Sequence, residues 1–385
     1  MPYLRRSFSR FSPRRFAYDT AGIRIENLNA VGVGRDNGNL KDGISFFSDI
    51  PIVGNKLDTV QIHNVEVSGF GVNGVSIGAY VYDYENYVAI KTGFKNVRIT
   101  NVVAHDNGDG GIYTYGSFNS YYGPDFPESL IPGYSHENVY VGGCCAYRNT
   151  GFANKGNNSG NGIVLSDVEN GMIECSVAFE NGAKNDHKGG GPVGIWAWES
   201  KNVVIRFNES YRNRSMTIDG GGFDLDGGCV NCVMEYNYSH DNFGSGFLVY
   251  EFYSARPMRN NKVRYNLSVN DGISNGGGFT FGGGMDGLLV EGNTFIFGNN
   301  PLPTAEGPFG VLQVKDGMTN VNVTIRRNLF IPQGNRTMIK VPDLALQPNL
   351  LFRDNCYLTP FFHAIWGATE YDSLNAWRSA TGQEP

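Results

Sequence analysis

The chain has 385 residues, a formal net charge of −6 and 41% hydrophobic residues, which is enough apolar material for a sizeable core. Its 52 glycines favour short strands and tight turns over helices, and no apolar run approaches the length of a membrane span. An acidic chain without basic stripes argues against nucleic-acid binding. We therefore expect partners that are neither nucleic acids nor membranes.

The basic N-terminus is the first local feature. Five arginines lie within the first fifteen residues, and we expect residues 1–21 to form a basic arm or an irregular cap. Arg5-Arg6-Ser7-Phe8 is similar to the start of a twin-arginine export signal, but no apolar segment follows it. We therefore recognise no complete signal peptide in this chain.

A repeated pattern extends over residues 22–356. Glycine is followed by a large apolar residue, any residue, a usually apolar residue and any residue. The pattern occurs at Gly43–Phe47, Gly74–Gly78, Gly111–Tyr115, Gly162–Ser166, Gly194–Trp198, Gly222–Asp226, Gly246–Tyr250, Gly278–Gly282 and Gly310–Val314. Successive glycines lie 24 to 51 residues apart, which is typical of one coil of a three-stranded solenoid.

Asparagine marks the turns of the same repeat. A second strand of the form Asn-Val-x-Ile precedes several of the glycines, as at Asn96–Thr100. Two columns of asparagines follow such strands, namely Asn107, Asn149, Asn181, Asn213 and Asn242 in one, and Asn208, Asn237 and Asn266 in the other. Because asparagine tolerates a left-handed backbone and its amide caps peptide groups, we expect stacked asparagine ladders at left-handed turns.

These strands and asparagine turns resemble the right-handed parallel β-helix proteins of the pectin-lyase-like superfamily, over about residues 22–356. The resemblance implies an all-β fold, a single-stranded right-handed parallel β-helix of about nine to ten coils, with a C-terminal cap or tail at 357–385. We expect an extracellular or periplasmic protein. The oligomeric state stays open, with a homo-oligomer as one alternative, since the ends and faces of such solenoids often pair. The superfamily includes polysaccharide lyases, glycoside hydrolases, uronate epimerases, tailspikes and adhesins, so the fold does not define the activity.

The outward side chains of the glycine-led strands depart from the pattern of a solvated sheet. Side chains alternate along a strand, so Phe223 and Leu225 point into the core and their neighbours point outward. In the central coils the outward residues include Tyr113, Tyr115, Trp196, Trp198, Asp224, Asp226 and Tyr250, where Thr, Ser, Lys or Glu would be typical. We predict that the five aromatic residues bind substrate on an exposed face, because their flat rings match the apolar faces of sugars.

Two interpretations of this face stay open. A long insertion at about 116–137 either covers the rings as a small second core or walls a cleft beside them. Segments 151–160, 183–191 and 214–221 lead into the same strands, as expected for loops that build a site on a rigid scaffold. Lys188 lies in one of these segments, and we predict that it contacts the substrate.

Asp224 and Asp226 lie at the centre of the predicted face. Residues i and i+2 of a strand point the same way, with Cβ atoms about 6.5–7 Å apart, and rotamers from there reach either hydrolytic geometry. We predict that the two carboxyls act as acid and base, with Glu251 and His187 as weaker catalytic candidates and Asp219 weaker still. Alternatively, Asp224 and Asp226 bind Ca²⁺ or form a solvated acidic pair.

The charge of the face favours one carbohydrate-active function over another. A polyuronate lyase or epimerase needs cations to neutralise its substrate, whereas the outward strand positions from Ser45 to Val314 contain no Arg or Lys. We therefore predict a glycoside hydrolase that acts on a neutral or weakly charged polysaccharide or oligosaccharide and requires no cofactor. The first alternative is a lyase or uronate epimerase that uses Ca²⁺ with Lys188, His187 or a tyrosine as base. The second is a non-catalytic glycan-binding protein of the tailspike or adhesin type.

Overall fold

The computed structural model describes residues 3–4, 9–10, 17–35, 40–85, 88–118, 133–252, 255–297, 312–314, 318–333 and 336–385. In these residues the chain winds into coils whose strands stack on their equivalents in the next coil. The strands form two large sheets, of 21 and 13 strands. Their described pairings are parallel, except for one antiparallel pairing at the end of the second sheet.

The strands of each sheet have the following bounds. The first sheet contains Tyr3–Leu4, Ser9–Arg10, Ile23–Val31, Lys56–Ser68, Gly93–His105, His136–Gly142, Cys145–Tyr147, Val168–Glu174, Val177–Phe179, Lys201–Arg206, Glu209–Tyr211, Val233–Glu235, Tyr238–His240, Met258–Arg264, Leu267–Val269, Met285–Glu291, Thr294–Phe297, Val321–Arg326, Leu329–Pro332, Leu351–Arg353 and Cys356–Tyr357. The second contains Ala17–Tyr18, Ile44–Ser48, Asn73–Ala79, Gly110–Tyr115, Asn161–Ser166, Val193–Trp198, Gly221–Asp226, Phe247–Tyr250, Phe279–Gly282, Leu312–Val314, Ile339–Val341, Ala364–Trp366 and Thr369–Tyr371. A small third sheet pairs Tyr82–Asp83 with Val88–Ala89, and one helix spans Leu374–Thr381.

Each coil bends within the first sheet. In the strand Gly93–His105, Asn101 has a φ of 52°, which turns the strand without ending it. In the next coil the bend separates two strands, His136–Gly142 and Cys145–Tyr147, and both pair with Gly93–His105. A typical coil therefore has two strand segments in the first sheet and one in the second.

Residues aligned in the sequence repeat lie side by side in the second sheet. Trp196 pairs with Asp224, which pairs with Leu248 in the following coil. Asp226 pairs with Tyr250 in the same register. The alignment of the repeats is confirmed in these central coils. It is wrong by one residue in the last repeat, where Leu312 and Val314 pair with the inward Phe279 and Phe281, so Val314 is buried in the core and does not point outward.

The predicted inward positions form the core. Phe223, Leu225 and Phe247 are fully buried, and the rings of Phe223 and Phe247 stack with centroids 5.2 Å apart. Burial of each such side chain stabilises the fold by about 1.5–3 kcal/mol. Because every coil packs its apolar side chains on the next, the core runs as one column along the solenoid.

Asparagine ladders satisfy the buried turns. The backbone N–H and Nδ2 of Asn149 both donate to Oδ1 of Asn181, at 3.1 and 3.0 Å, and Asn181 donates to Asn213 in the same way. The ladder is confirmed, but the expected left-handed backbone at these asparagines is wrong. The left-handed residue is the one before each of them, as at Arg148 and Glu180, so the amide is used for hydrogen bonding alone.

The sheets extend beyond residues 22–356 at both ends. Tyr3–Leu4 and Ser9–Arg10 pair with Ile23–Val31, while most of the arginine-rich segment lies outside the described residues. At the other end Ala364–Trp366 joins the second sheet. Of the 13 described strands in that sheet, 12 stack in parallel, so the stack is longer than the nine to ten coils predicted, because the terminal coils lack the glycine-led pattern.

The helix Leu374–Thr381 lies across the C-terminal end of the core. It begins after Ser373, whose side chain caps the first turn. Its Trp377 is fully buried and meets the rings of Phe352 and Trp366 edge-on, each at 5.6 Å. No helix in the described part of the chain is long and apolar enough to cross a membrane.

Candidate functional site

A cavity of about 580 Å³ lies on the outer side of the second sheet. It is lined by Tyr113, Asn157, Asn158, Lys188, Gly189, Gly190, Gly191, Val193, Trp196, Trp198, Ile218, Asp219, Asp224, Asp226, Leu248, Tyr250 and Phe252. Eight of the eleven residues that the sequence singled out, Asp219 included, therefore lie together, and the other three, Tyr115, His187 and Glu251, do not line this cavity.

The floor of the cavity is not the exposed face that the sequence predicted. Asp224 and Trp196 are each only 3% exposed, because residues of the loops 151–160, 183–191 and 214–221 rise over the strands. The expectation of an exposed face is wrong at these two positions. Residues of those three loops line the cavity, as expected for loops that build a site on a rigid scaffold. The insertion at about 116–137, on which the two interpretations of the face rested, lies mostly outside the described residues.

Trp196 is fixed within a small second core. Its Nε1 donates to Oδ1 of Asn161 at 3.0 Å, and its ring packs with Val164 and Val193. This cluster is separate from the core inside the solenoid. Trp196 therefore forms a rigid part of the cavity floor.

Trp198 is held by rings on several sides. The ring of Phe118 stacks on it with centroids 4.4 Å apart and an angle of 30°, and those of Trp196 and Phe252 lie at 6.4 and 6.3 Å. Trp198 stays partly exposed and contributes to the cavity wall. Its orientation therefore depends on the residues that carry these neighbouring rings.

Tyr113 contributes a neutral phenol. Burial raises the pKa of its hydroxyl well above the usual value, and the nearby carboxylates of Asp109 and Asp226 raise it further. A phenol with a raised pKa is a hydrogen-bonding group rather than a base. This argues against Tyr113 as the proton-abstracting residue of a lyase.

The two predicted acids differ in exposure. Asp224 lies between Trp196 and Leu248 and is buried, whereas Asp226 lies beside Tyr250 and is more exposed. Both line the cavity. Asp226 is thus the more accessible carboxyl of the pair.

Asp219 is a third carboxylate in the same cavity. It has a left-handed backbone, with a φ of 59°, and its Oδ2 accepts a hydrogen bond from the Gly191 N–H at 2.7 Å. Its own N–H donates to Oδ1 of Asn275 at 3.0 Å, and the Asn275 amide donates back to its carbonyl. Sequence reasoning ranked Asp219 low because nothing local shows that this loop folds over the strands.

Glu251 does not supply a further cavity carboxylate, as the sequence had suggested. It follows Tyr250, so strand alternation turns its side chain away from the cavity, and it is 3% exposed. Burial raises its pKa to about 10, and the carboxylates of Glu199 and Asp226 add to the effect. Glu251 is therefore a neutral carboxyl at neutral pH.

His187 and Tyr115 lie beside the cavity. Nδ1 of the His187 ring donates a hydrogen bond to the Gly190 carbonyl at 3.0 Å, and the His187 carbonyl accepts a hydrogen bond from the Thr217 hydroxyl. His187 thus shapes the loop that carries Lys188. Tyr115 lines an adjoining hollow of about 180 Å³, which shares Tyr113, Asn157 and Asn158 with the cavity and also contains Asn73, Asp109 and Asn161.

Four buried charged side chains lie at the ends of the floor strands. Lys91 and Asp167 form an ion pair at 2.6 Å, and Arg256 and Glu199 form another at 2.6 Å. Arg256 also lies 3.8 Å from Asp167. The side chains are at most 4% exposed, and this cluster was not predicted from the sequence.

The described residues offer no ready metal centre. Within the described ranges no three His, Cys, Asp or Glu side chains are arranged to hold a metal ion. The six cysteines of the chain are free, and Cys229 and Cys232 are fully buried.

Residues 129–295 match a family model described as a right handed beta helix region. This segment includes the strands from Val193–Trp198 to Phe247–Tyr250, which form most of the cavity floor. Together with the parallel pairing, it confirms the predicted fold, an all-β right-handed parallel β-helix.

Among curated proteins, the chain is similar to a lacto-N-biosidase from Bifidobacterium longum subsp. longum, with 26% identity over 282 residues. The alignment covers 66% of this chain but 16% of that protein, so the chain spans about a sixth of the length of the curated relative. What that protein does as a whole is therefore a property of a much longer molecule.

Two solved structures are similar to this chain in fold. The A-module of mannuronan C-5 epimerase AlgE6 from Azotobacter vinelandii has 14% identity and a TM-score of 0.45, with 91% of this chain and 86% of that chain covered. The GH136 lacto-N-biosidase from Eubacterium ramulus has 17% identity and a TM-score of 0.45, with 90% and 50% covered. At these values the likenesses carry no argument about activity.

Proposed function

We propose that this chain is a carbohydrate-active enzyme, a glycoside hydrolase that cleaves a neutral or weakly charged glycan in the cavity on the second sheet. One observation carries the proposal. Asp219, Asp224 and Asp226 line the same cavity as Tyr113, Trp196, Trp198 and Tyr250. Aromatic rings suit the apolar faces of a sugar, and carboxyls beside them suit the chemistry at its glycosidic bond.

Glycoside hydrolysis needs two carboxyl groups with different roles. One donates a proton to the glycosidic oxygen, and the other activates water or attacks the sugar directly. Asp226 is accessible from the cavity and is assigned to one role. Its partner is Asp224, which the sequence indicated, or Asp219, which the cavity adds.

The charge of the cavity supports a neutral substrate. Lys188 is the one cationic side chain among the described lining residues, against three aspartates. A polyuronate would bring its carboxylates close to these aspartates with little compensation. The similarity to a protein named lacto-N-biosidase also favours hydrolysis, although the share of that protein's length is small.

A polysaccharide lyase or epimerase is the second candidate, because Lys188 lies in the cavity with the aspartates. In that reaction Lys188 would neutralise the uronate or remove its proton. Such enzymes often use Ca²⁺, which takes about six to eight oxygen ligands. The described residues do not form a prepared site for it, and no step of the hydrolytic proposal uses the ion.

The test is a panel of neutral and uronate-containing oligosaccharides, scored for new reducing ends and for unsaturated products. We expect reducing ends from neutral glycans, and a loss of about 10²–10⁴-fold in kcat/KM for Asp226→Asn. Asp219→Asn and Asp224→Asn identify the partner, which should lose a similar factor. The matched control is Asp286→Asn, since Asp286 is an exposed aspartate on the first-sheet strand Met285–Glu291 and does not line the cavity.

The outcomes separate the candidate functions. Activity that survives all three cavity substitutions contradicts the assignment of the site. Unsaturated products from uronates that disappear with a chelator favour the lyase, and binding without any product favours the non-catalytic alternative. An extracellular or periplasmic location and self-association stay predictions, which cell fractionation and sedimentation velocity test.

A further inference from the structure

One side of Trp198 is held through Lys91. The Lys91 ammonium lies 4.7 Å from the centroid of the Phe118 ring and donates a hydrogen bond to the carbonyl of Ser117. Phe118 in turn stacks on Trp198 at 4.4 Å. Lys91 therefore fixes both the backbone and the ring that press on Trp198.

The other side is held through Arg256. Its backbone N–H and its Nε donate to the two carboxylate oxygens of Glu199, at 3.1 and 2.6 Å, and Glu199 is the residue directly after Trp198. Arg256 also donates to the Gly133 carbonyl at 3.0 Å. Phe252, four residues before Arg256 in the chain, places its ring 6.3 Å from that of Trp198.

Asp167 connects the two sides. Its Oδ2 contacts Lys91 at 2.6 Å, its Oδ1 faces Arg256 at 3.8 Å, and its backbone N–H donates to the Trp198 carbonyl at 3.3 Å. The chain passes so close at Gly116 that a Cβ there would lie 1.8 Å from Asp167 Oδ2. A larger residue at position 116 would therefore displace the carboxylate of Asp167 from its present position.

The ionisation of the cluster is balanced. Burial by itself raises the pKa of Asp167, but Lys91 and Arg256 hold it below its usual value. Burial also lowers the pKa of Lys91 and raises that of Glu199, so the opposite charges within the cluster are what favour the ionised forms of these two groups. The close contacts Lys91–Asp167 and Arg256–Glu199 suit a fixed support rather than a moving part.

We propose that Asp167 is a positioning residue for substrate binding, which acts through Lys91 and Arg256 to fix the ring of Trp198 as the surface on which a sugar packs. The inference rests on the proposed function for its substrate. It goes beyond that function by assigning a role in binding to charges that never touch the glycan. A positioning residue of this kind affects the ground state and the transition state alike, so its loss should raise KM more than it lowers kcat.

The decisive variant replaces the pair Lys91–Asp167 by Met and Leu. Apolar residues of similar volume usually preserve or increase stability where a buried ion pair is removed as a unit. We expect K91M/D167L to keep the unfolding midpoint of the wild type. On the neutral oligosaccharide that the panel identifies, KM should rise about tenfold or more while kcat changes less than about threefold. Acrylamide quenching of the Trp198 fluorescence, obtained by subtracting the W198F variant, should increase.

The control pair is Glu235–Arg264, an ion pair at 2.7 Å on the outer side of the first sheet. E235L/R264M should leave KM and quenching unchanged. A K91M/D167L protein with the wild-type KM and wild-type quenching overturns the inference. If that variant does not fold, Arg256→Lys replaces it, since lysine keeps the charge but loses the two-point contact with Glu199. If Arg256→Lys has the KM of the wild type, the inference is likewise overturned.

Failure of the inference and failure of the proposed function are distinguishable. If the wild type cleaves no glycan in the panel, the proposed function fails, and the quenching experiment still measures whether Asp167 fixes Trp198. Increased quenching then supports the positioning role, and unchanged quenching overturns it. If the wild type is active and the variant equals it in both measurements, only the positioning role fails.

Discussion

The outer sides of the two sheets differ in how strictly their residues repeat. On the first sheet one ion pair recurs along the solenoid, as Glu174–Arg206 at 2.8 Å, Glu235–Arg264 at 2.7 Å and Glu291–Arg326 at 2.9 Å. A neighbouring column stacks the rings of His105, Tyr147, Phe179, Tyr211 and His240 at 4.7 to 4.9 Å. Here each coil supports the next with the same chemistry.

The second sheet does not repeat its outer residues in this way. Val164, Trp196, Asp224 and Leu248 occupy one aligned position in four successive coils, with four unrelated side chains. Repetition in a solenoid therefore reflects mutual stabilisation of the coils, and its interruption marks a surface selected for another purpose. The contrast predicts that substitutions on the regular columns change stability, while those in the cavity change activity.

The largest effect on stability is expected within an asparagine ladder. Asn213→Ala removes the acceptor of two hydrogen bonds from Asn181 and leaves those buried donors without a partner. At about 1–3 kcal/mol for each unsatisfied group, the free energy of unfolding should fall by about 2–5 kcal/mol. Chemical denaturation measures the loss, and the kcat of the folded protein should stay unchanged. Asn29→Ala is the matched control, since Asn29 is exposed on a strand and should cost less than about 0.5 kcal/mol.

A smaller change in the free energy of unfolding, of opposite sign, is expected at Glu251, which does not line the cavity. The folded-state pKa of about 10 for Glu251 lies above its ordinary 4.5. The folded chain therefore holds an extra proton between these values, so the free energy of unfolding falls as the pH rises from about 4.5 towards 10. Glu251→Gln keeps the shape of the neutral acid, but the amide does not titrate. The free energy of unfolding at pH 7 should therefore rise by on the order of 1–2 kcal/mol. Urea unfolding at pH 5, 7 and 9 should show a gain that grows with pH, and a constant difference would contradict a protonated Glu251.

The smallest effect is expected on the ion-pair column. Arg326→Met breaks the contact with Glu291, but Arg326 is about one third exposed. Partly exposed pairs contribute about 0–1 kcal/mol and are screened by salt. The unfolding free energy should therefore drop by less than about 1 kcal/mol, and the difference should shrink at high ionic strength. A loss as large as that at Asn213 would mean that the column is a cooperative network.

The fold can be predicted from the sequence more fully than the site, because the signals for the fold are local. The inward direction of Phe223 and the stacking of Asn181 on Asn213 follow from alternation and from a repeat of about thirty residues, both of which are visible locally. The contact between Lys91 and Asp167 joins residues 76 positions apart through two irregular segments. Nothing in either segment indicates its partner, so the cluster was not predicted.

The candidate site could be predicted from the sequence in part. Asp224, Asp226 and the two tryptophans were found because they interrupt a periodic background. The burial of Asp224 and Trp196 was missed, since alternation says which side of a strand a residue occupies and not what packs above it. Asp219 was underrated for the same reason, because its position depends on a loop whose path the repeat does not constrain.

The C-terminal reversal of the chain has a consequence for solubility. A parallel stack that simply stopped would present the free N–H and C=O groups of Ala364–Trp366 to any passing chain, which is how end-to-end aggregation begins. Instead Thr369–Tyr371 turns back and pairs antiparallel with that strand. The new edge is three residues long and carries Glu370, and short charged edges are poor templates for further strands. The antiparallel pairing at this edge of the second sheet therefore opposes the end-to-end growth of fibres.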